Sequence, residues 1–346
     1  MKKDFLKNIS KKVIKKISLL GFLIGLFLSV VFYTFFSPNY YPQTTNSEIV
    51  IRNGEVFKST IKKLYRRKII PSKSNFYFLA KLLNAERNIK AGYYKIPNGL
   101  SYFELLRFLI NGQPEPSILI TIPEGIWQHD VAKLFKRELN LNVEKFLQLS
   151  KNKSFIKSLG LNVRNLEGYL LPDTYYFKLK NSERNVIKKL VNETLSFFNS
   201  ERRKQIKKMG LTIHQVLTLA SIVDGETNNP NEFKKIAGVY LNRLKRGMKL
   251  QADPTIQYLI RNRKKHNKIY FKDLEKDSPY NTYLYKGLPP SPINNPGKEA
   301  ILSVIYPEKN NFLYFVADGN GNHKFSKTYS EHLKNVRAYR KARRKK

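Results

Sequence analysis

The chain has 346 residues, 41% of them hydrophobic and 13% aromatic, enough to bury a sizeable core and to exclude a disordered tail. It contains no cysteine, which rules out disulfides, thiolate metal sites and cysteine nucleophiles. The formal net charge of +38 invites a nucleic-acid partner, but the first forty residues argue against one.

Residues 17–36 carry no charge, and at about 1.5 Å per residue they match a hydrocarbon core of about 30 Å. The run ends in Ser37, Pro38, Asn39, Tyr40, Tyr41 and Pro42, without the small-residue pattern of a signal-peptidase site, so we expect a retained transmembrane anchor. Lys2, Lys3, Lys7, Lys11, Lys12, Lys15 and Lys16 precede it. This positive-inside bias makes residues 1–16 a cytoplasmic basic tail and puts the rest outside the inner membrane, with Tyr33, Tyr40 and Tyr41 at the outer interface. An exported domain meets anionic headgroups and a carboxylate-rich wall, not a chromosome, so the expected partners include the membrane and exclude nucleic acid. A Lys-, Asn- and Ile-rich genome accounts equally well for the charge.

Residues 37–48 are polar and read as a linker. Three segments then share one pattern, a strand-like run, a turn closing on Gly and an amphipathic helix: Ile51-Arg52-Asn53-Gly54, Ile96-Pro97-Asn98-Gly99 and Ile122-Pro123-Glu124-Gly125. Phe103, Leu106, Leu109 and Ile110 recur at helical spacing after the second, and Trp127, Val131, Leu134 and Phe135 after the third. Such units resemble the building block of LysM-type glycan-binding modules, and 49–115 is expected to be a small LysM-like α+β subdomain.

Residues 132–208 read as mainly helical, interrupted at 166–177 by a Gly-, Pro- and aromatic-rich loop and strand. Thr212 and Gln215 form a capping-box start, and Ile213, Val216, Leu217, Ala220 and Val223 then make one apolar face, ended by Asn228-Asn229-Pro230. Asn229 and Pro230 start the next helix, whose stripe is Phe233, Ile236, Ala237, Tyr240 and Leu244 and whose stop is Gly247. Residues 312–325 predict a hairpin around Asp318-Gly319-Asn320-Gly321-Asn322, followed from about Ser330 by a basic helix and tail, 331–346.

Asp224 and Glu226 end the helix that begins after Thr212, and two residues apart means about 200° around its axis. Asp224 falls near the buried stripe, Glu226 at the border of core and solvent, where a cleft wall would lie. The negative helix end and partial burial both raise the pKa of Glu226, and a carboxyl kept protonated near neutrality can donate to a glycosidic oxygen. An ordinary solvated helix-end Glu fits the same position. Glu167, followed by Gly168 and aromatics, with Asp173 close behind, is the rival; it also reads as a turn carboxylate against Lys or Arg. His129, His214, His266, His323 and His332 show no ligand spacing, so no metal and no cofactor is expected, and core, turn or surface roles suit all five.

Several ordered segments resemble the endolytic murein transglycosylase (YceG-like) family. They are Ala220-Ser221-Ile222-Val223-Asp224-Gly225-Glu226-Thr227, Ala237-Gly238-Val239-Tyr240-Leu241-Asn242-Arg243-Leu244, Gly247-Met248-Lys249-Leu250-Gln251-Ala252-Asp253-Pro254-Thr255, Leu166-Glu167-Gly168-Tyr169 with Pro172-Asp173-Thr174, and Tyr280-Asn281-Thr282-Tyr283. Gly287-Leu288-Pro289-Pro290, Asn295-Pro296-Gly297 and Tyr314-Phe315-Val316-Ala317-Asp318-Gly319 extend the likeness over nearly the whole chain.

The resemblance implies an α+β fold with a catalytic YceG-like domain at 118–330, acting on peptidoglycan glycan strands, and Glu226 as the single catalytic residue. Glu226 would protonate the oxygen after N-acetylmuramic acid and, as carboxylate, take the proton of that sugar's C6 hydroxyl, leaving a 1,6-anhydro end without water and terminating strand elongation. Such a lyase implies a glycan-polymerising penicillin-binding protein as a neighbour. Asp224 stands where the family has Glu, and Gly225 replaces a bulkier residue in a position where Gly costs about 1 kcal/mol, so this helix end is expected to fray. Glu167, Asp173, Gln251, Asp253, Tyr280, Asn281 and Thr282 are candidates for sugar contact or support. The cleft is expected between the Glu226 helix and the loops at 166–177 and 280–297. A non-catalytic, membrane-anchored peptidoglycan-binding scaffold is the alternative.

Overall fold

The structure is a computed structural model that describes residues 2–42, 47–52, 54–112, 117–263 and 268–343, without the side chains of residues 2–15 and 17. The middle of the expected linker, Asn53, residue 115 at the expected subdomain end, His266, the last three tail residues and six of the seven N-terminal lysine side chains fall outside these. The chain divides into two compact units, Met1–Ile118 and Leu119–Lys346.

The first unit opens with helix α1 (Lys2–Phe36), whose stretch Ser18–Phe36 has a mean hydropathy of 2.3 and is almost wholly exposed. At about 1.5 Å per residue this stretch suffices to cross a membrane. Strand β1 (Glu48–Ile51), helices α2 (Phe57–Arg66) and α3 (Lys73–Leu82), strand β2 (Gly92–Lys95) and helix α4 (Tyr102–Asn111) follow. β1 and β2 pair antiparallel with Ile49 opposite Tyr94, and the helices bury Leu64, Phe76 and Leu109 against them. A full capping box on Ser101 and Glu104 fixes the start of α4. Part of the segment read as linker is folded: Tyr41 is buried, its hydroxyl donating to the Ile96 carbonyl at 2.6 Å, and Asn39 exchanges backbone hydrogen bonds with Gly99 and Leu100. An aromatic ring finds more apolar contact there than in solvent, which composition alone did not reveal.

Strand β3 (Ser117–Thr121) runs from the last residues of the first unit into the second, which then comprises α5 (Gln128–Leu139), α6 (Val143–Leu149), α7 (Lys153–Ser158), β4 (Thr174–Lys178), α8 (Glu183–Phe197), α9 (Ser200–Lys208), α10 (Ile213–Glu226), α11 (Pro230–Lys245), α12 (Asp253–Leu259), α13 (Phe271–Leu274), α14 (Lys298–Ile305), β5 (Tyr314–Ala317), β6 (His323–Ser326) and α15 (Tyr329–Arg343). β3 pairs with β4, and β5 with β6 antiparallel through Phe315 and Phe325. The Thr212–Gln215 capping box and the Asn229 cap with Pro230 in the first turn start α10 and α11 as the spacing predicts. One expectation needs correction: α10 has no single apolar face. Val216 to Val223 are all buried, because α9, α11, α12 and α14 surround the helix and leave only its first and last turns partly exposed.

Candidate active site

The last turn of α10 carries both carboxyls, which point apart as the 200° estimate requires. Asp224 turns toward the loops: its Oδ1 accepts from the Gly297 backbone N–H at 3.3 Å, and burial together with the nearby Glu124 pushes it up to about 6. Gly125 (φ +72°) holds the left-handed turn beside it, and a Cβ there would lie 2.6 Å from the Asp224 carboxylate. Glu226 turns toward α11, where Oε1 accepts a short hydrogen bond from the Tyr240 hydroxyl. The half-buried Glu226 is crowded by protein, and that desolvation pushes its carboxyl up to about 8. The Tyr240 donor and the Arg243 charge pull the other way, whereas Asp253 pushes in the same direction.

Glu226 lies in a cleft of about 340 Å³ shared with Tyr240, Arg243, Asp253, Tyr283, Tyr314 and His332. Tyr240 and Arg243 are one turn apart on α11, so both reach the same wall. Arg243 is fixed by its backbone acceptors, Leu313 O at 2.6 Å and Leu250 O at 2.7 Å, and stacks over Tyr314 at 5.2 Å. Burial lowers its pKa from the guanidinium value. Asp253 accepts from the Tyr283 hydroxyl at 2.5 Å, and burial with that carboxylate pushes the Tyr283 phenol up. A protonated carboxyl ringed by hydroxyls and one fixed cation can give a proton to a bound oxygen and take one back. Among the described residues no three His, Asp or Glu side chains converge as a metal site requires.

The other candidates divide. Gln251 and Asp253 line the Glu226 cleft. Gln251 holds φ +50° because its N–H donates to Thr282 O at 3.0 Å. Thr282 is buried; its hydroxyl accepts from Ala252 N at 2.9 Å and meets the Thr255 hydroxyl at 2.9 Å. Asn281 is buried too, bonding Leu274 O, Lys276 O and Tyr283 N. Both therefore brace the segments that carry Gln251, Asp253 and Tyr283. Tyr280 turns elsewhere, to Ser291 at 2.6 Å and the Tyr258 ring at 5.1 Å, and Asp173 is exposed and paired with Lys298.

Glu167 does not reach the Glu226 cleft but lines a second one, of about 610 Å³. Its Oε1 accepts from Gln128 N at 2.7 Å and Asn295 Nδ2 at 3.2 Å. The expected cleft position is thus corrected: α11, the 250–253 segment, Tyr283, β5 and α15 wall the Glu226 cleft, and the 166–177 loop does not. That loop is drawn into the core by Asn295, whose Oδ1 accepts from Gly168 N at 2.9 Å and Leu170 N at 3.1 Å. The expected fraying is absent as well, since Gly225 lies within α10 and a Cβ there would meet Pro254 at 2.7 Å.

Tyr240, Arg243, Tyr283, Tyr314, Tyr329 and His332 are cleft residues that the sequence did not single out as such. The Tyr240–Arg243 spacing was a usable signal, an arginine one turn along a buried stripe. His332 gave none, because its place depends on how α15 packs on the β5–β6 hairpin.

Comparison with known proteins places the chain in a family. The model of the YceG-like family matches residues 49–338, and the chain belongs to that family. It is 31% identical over 310 residues to the endolytic murein transglycosylase of Bacillus subtilis, covering 85% of each chain. The endolytic murein transglycosylase of Streptococcus pneumoniae is 34% identical over 297 residues, with 75% of this chain and 52% of that one covered, so this chain spans about half the length of that relative. A crystal structure of a yceG-like protein from Listeria monocytogenes superposes with a TM-score of 0.58 at 33% identity, over 83% of this chain and 98% of that chain.

Proposed function

We propose that the chain is a membrane-anchored lytic transglycosylase that cuts glycan strands of peptidoglycan, with Glu226 as its acid and base. The observation that carries this reading is a carboxyl held up to about 8 in a polar, tyrosine-walled cleft. The names of the relatives supply the substrate class. Protonated Glu226 gives its proton to the bridging oxygen; as carboxylate it then takes the proton of the C6 hydroxyl on the same sugar, which closes on C1. An attached nucleophile has a high effective concentration, so water and a second carboxylate are both dispensable. Asp253, held by Tyr283, serves as electrostatic support, and Gln251 with Tyr283 as contacts for sugar hydroxyls. Residues 1–16 stay cytoplasmic, 17–36 span the inner membrane, and the remainder works outside, beside a glycan-polymerising penicillin-binding protein whose strands it terminates. The β1-α2-α3-β2 unit acts as a LysM-like glycan holder, a role its 600 Å³ groove beside Arg52 and Tyr77 would suit.

The test is digestion of wall glycan by the full chain in detergent, alongside Glu226→Gln, with strand ends weighed by mass spectrometry. Wild type is expected to release ends lighter by one water than hydrolytic ends, and the variant to lose at least about 100-fold in rate. Reducing ends would assign Asp253 a role in activating water instead. Tight glycan binding with no cleavage would make the chain a scaffold.

A further inference from the structure

The second cleft has no part in that chemistry, yet it is built as a binding site. Its floor holds Gln128, 95% buried by its 5% relative exposure, whose backbone N–H is committed to Glu167 while its side-chain Oε1 is buried and meets no protein donor. A buried carbonyl oxygen costs free energy until a donor reaches it. Beside it, Glu167 is pushed up to about 7 by burial. The half-buried Trp127 forms one wall, and Tyr258, with the Arg261 guanidinium stacked on its ring at 4.0 Å, forms another. Lys151 is exposed at the rim. At about 610 Å³ the cleft has the size of an ordinary ligand site.

We infer that this cleft is a second glycan subsite, which holds a sugar of the same strand, with its acidic stem peptide, beyond the bond presented to Glu226. The inference rests on the peptidoglycan reading above. Aromatic faces suit sugar rings, the orphan Gln128 oxygen suits an acetamido N–H or a ring hydroxyl, and Lys151 with Arg261 suits the carboxylates of the peptide. The two clefts are linked by α12, whose first residue, Asp253, lines the Glu226 cleft and whose Tyr258 lines this one. Five residues of helix set them about 7–8 Å apart along the axis and about 140° apart around it, so a strand that fills both clefts turns around the edge of α12. Occupation of both clefts would favour long strands over short ones and set where along a strand the cut falls.

The experiment uses the full-length Glu226→Gln protein in detergent micelles, titrated calorimetrically with uncross-linked disaccharide-peptide and octasaccharide-peptide. The octasaccharide is expected to bind at least about 10-fold more tightly, and Trp127→Ala or Lys151→Ala, placed on different segments, is expected to bring that ratio close to one. Stripping the peptides from the octasaccharide should reproduce the Lys151→Ala loss and leave that variant nothing further to lose. A ratio unchanged in both variants, or equal weakening of both ligands, overturns the subsite. The ratio is read without turnover, so it is separable from the catalytic reading. Cleavage by Glu226→Gln, or reducing ends from wild type, sinks that reading while the ratio stands, and anhydro ends without a length advantage sink only the subsite.

Discussion

Replacing Glu226 by Gln exchanges an ionisable carboxyl for a neutral amide of nearly the same shape, which makes the thermodynamic cost of the site measurable. The carboxyl titrates near 4.5 in the unfolded chain and near 8 in the fold. Between those values the folded protein keeps a proton that the unfolded chain releases. The contribution of Glu226 to stability is therefore fully present below about pH 4.5 and lost as pH rises toward 8, at about 1.4 kcal/mol per pH unit. The ceiling is about 5 kcal/mol; since Glu226 is only half-buried, solvent screening should leave about 2–3 kcal/mol. Every other titrating group is common to both proteins and cancels in their difference. Calorimetric melts of wild type and Glu226→Gln from about pH 5 to pH 9 should show the variant gaining on wild type by roughly 4–12 °C across that range, the conversion for a domain of about 200 residues. A gap that stays flat with pH refutes a raised carboxyl at this position, and with it the argument that Glu226 is poised as an acid.

Tyr240→Phe removes a donor that holds Glu226 down, so the alkaline fall of the pH–rate profile should move up by about 1–2 pH units, the equivalent of one charge-assisted hydrogen bond. A profile that loses amplitude without moving would make the tyrosine a packing residue only. Gly225→Ala gains helix propensity of about 1 kcal/mol but sets a Cβ 2.7 Å from Pro254; a net loss of about 1–3 kcal/mol is expected in a thermal melt, and a gain would show that α12 yields freely. Asn295→Ala strips the acceptor from Gly168 N and Leu170 N inside the core, which should cost about 3 kcal/mol or more in denaturant unfolding. An unchanged midpoint there would mean that the 166–177 loop is held by its apolar side chains alone.

What could be read from the chain was what depends on local rules. The α10 and α11 starts, the left-handed stops, the β5–β6 hairpin and the opposed directions of Asp224 and Glu226 follow from capping, glycine conformation and helical periodicity. What could not be read was pairing at a distance. Glu167 and Glu226 look like rivals for one site because each is a carboxylate beside a glycine, and only the Asn295 hub, 128 residues beyond Glu167, draws the first into a different cleft. His332 enters the Glu226 cleft on a helix whose own sequence is merely basic and exposed. The all-round burial of α10 also escaped periodicity, since a helix covered by four others has no polar face to mark it.

Asp224 and Gly225, the two small residues beside Glu226, explain each other. Pro254 packs where a side chain at position 225 would stand, which brings the start of α12, and Asp253 with it, close against the last turn of α10. Gly225 is thus the condition for Asp253 sharing a cleft with Glu226, and the helix-propensity penalty is offset by tertiary contact instead of appearing as fraying. Asp224, on the other side of that turn, meets a backbone that comes equally close: the Gly297 N–H lies at 3.3 Å, and the left-handed turn at Gly125 sits against the carboxylate. A longer acid would have to displace one of these two glycine segments, so the shorter Asp fits a turn that is pressed from both sides. The same closeness desolvates both carboxyls, which is why the pair titrates upward together, Asp224 to about 6 and Glu226 to about 8. Tight packing around an unusually small pair of residues is therefore the physical source of the acid, and any change that loosens either side should lower both values toward those of ordinary carboxylates.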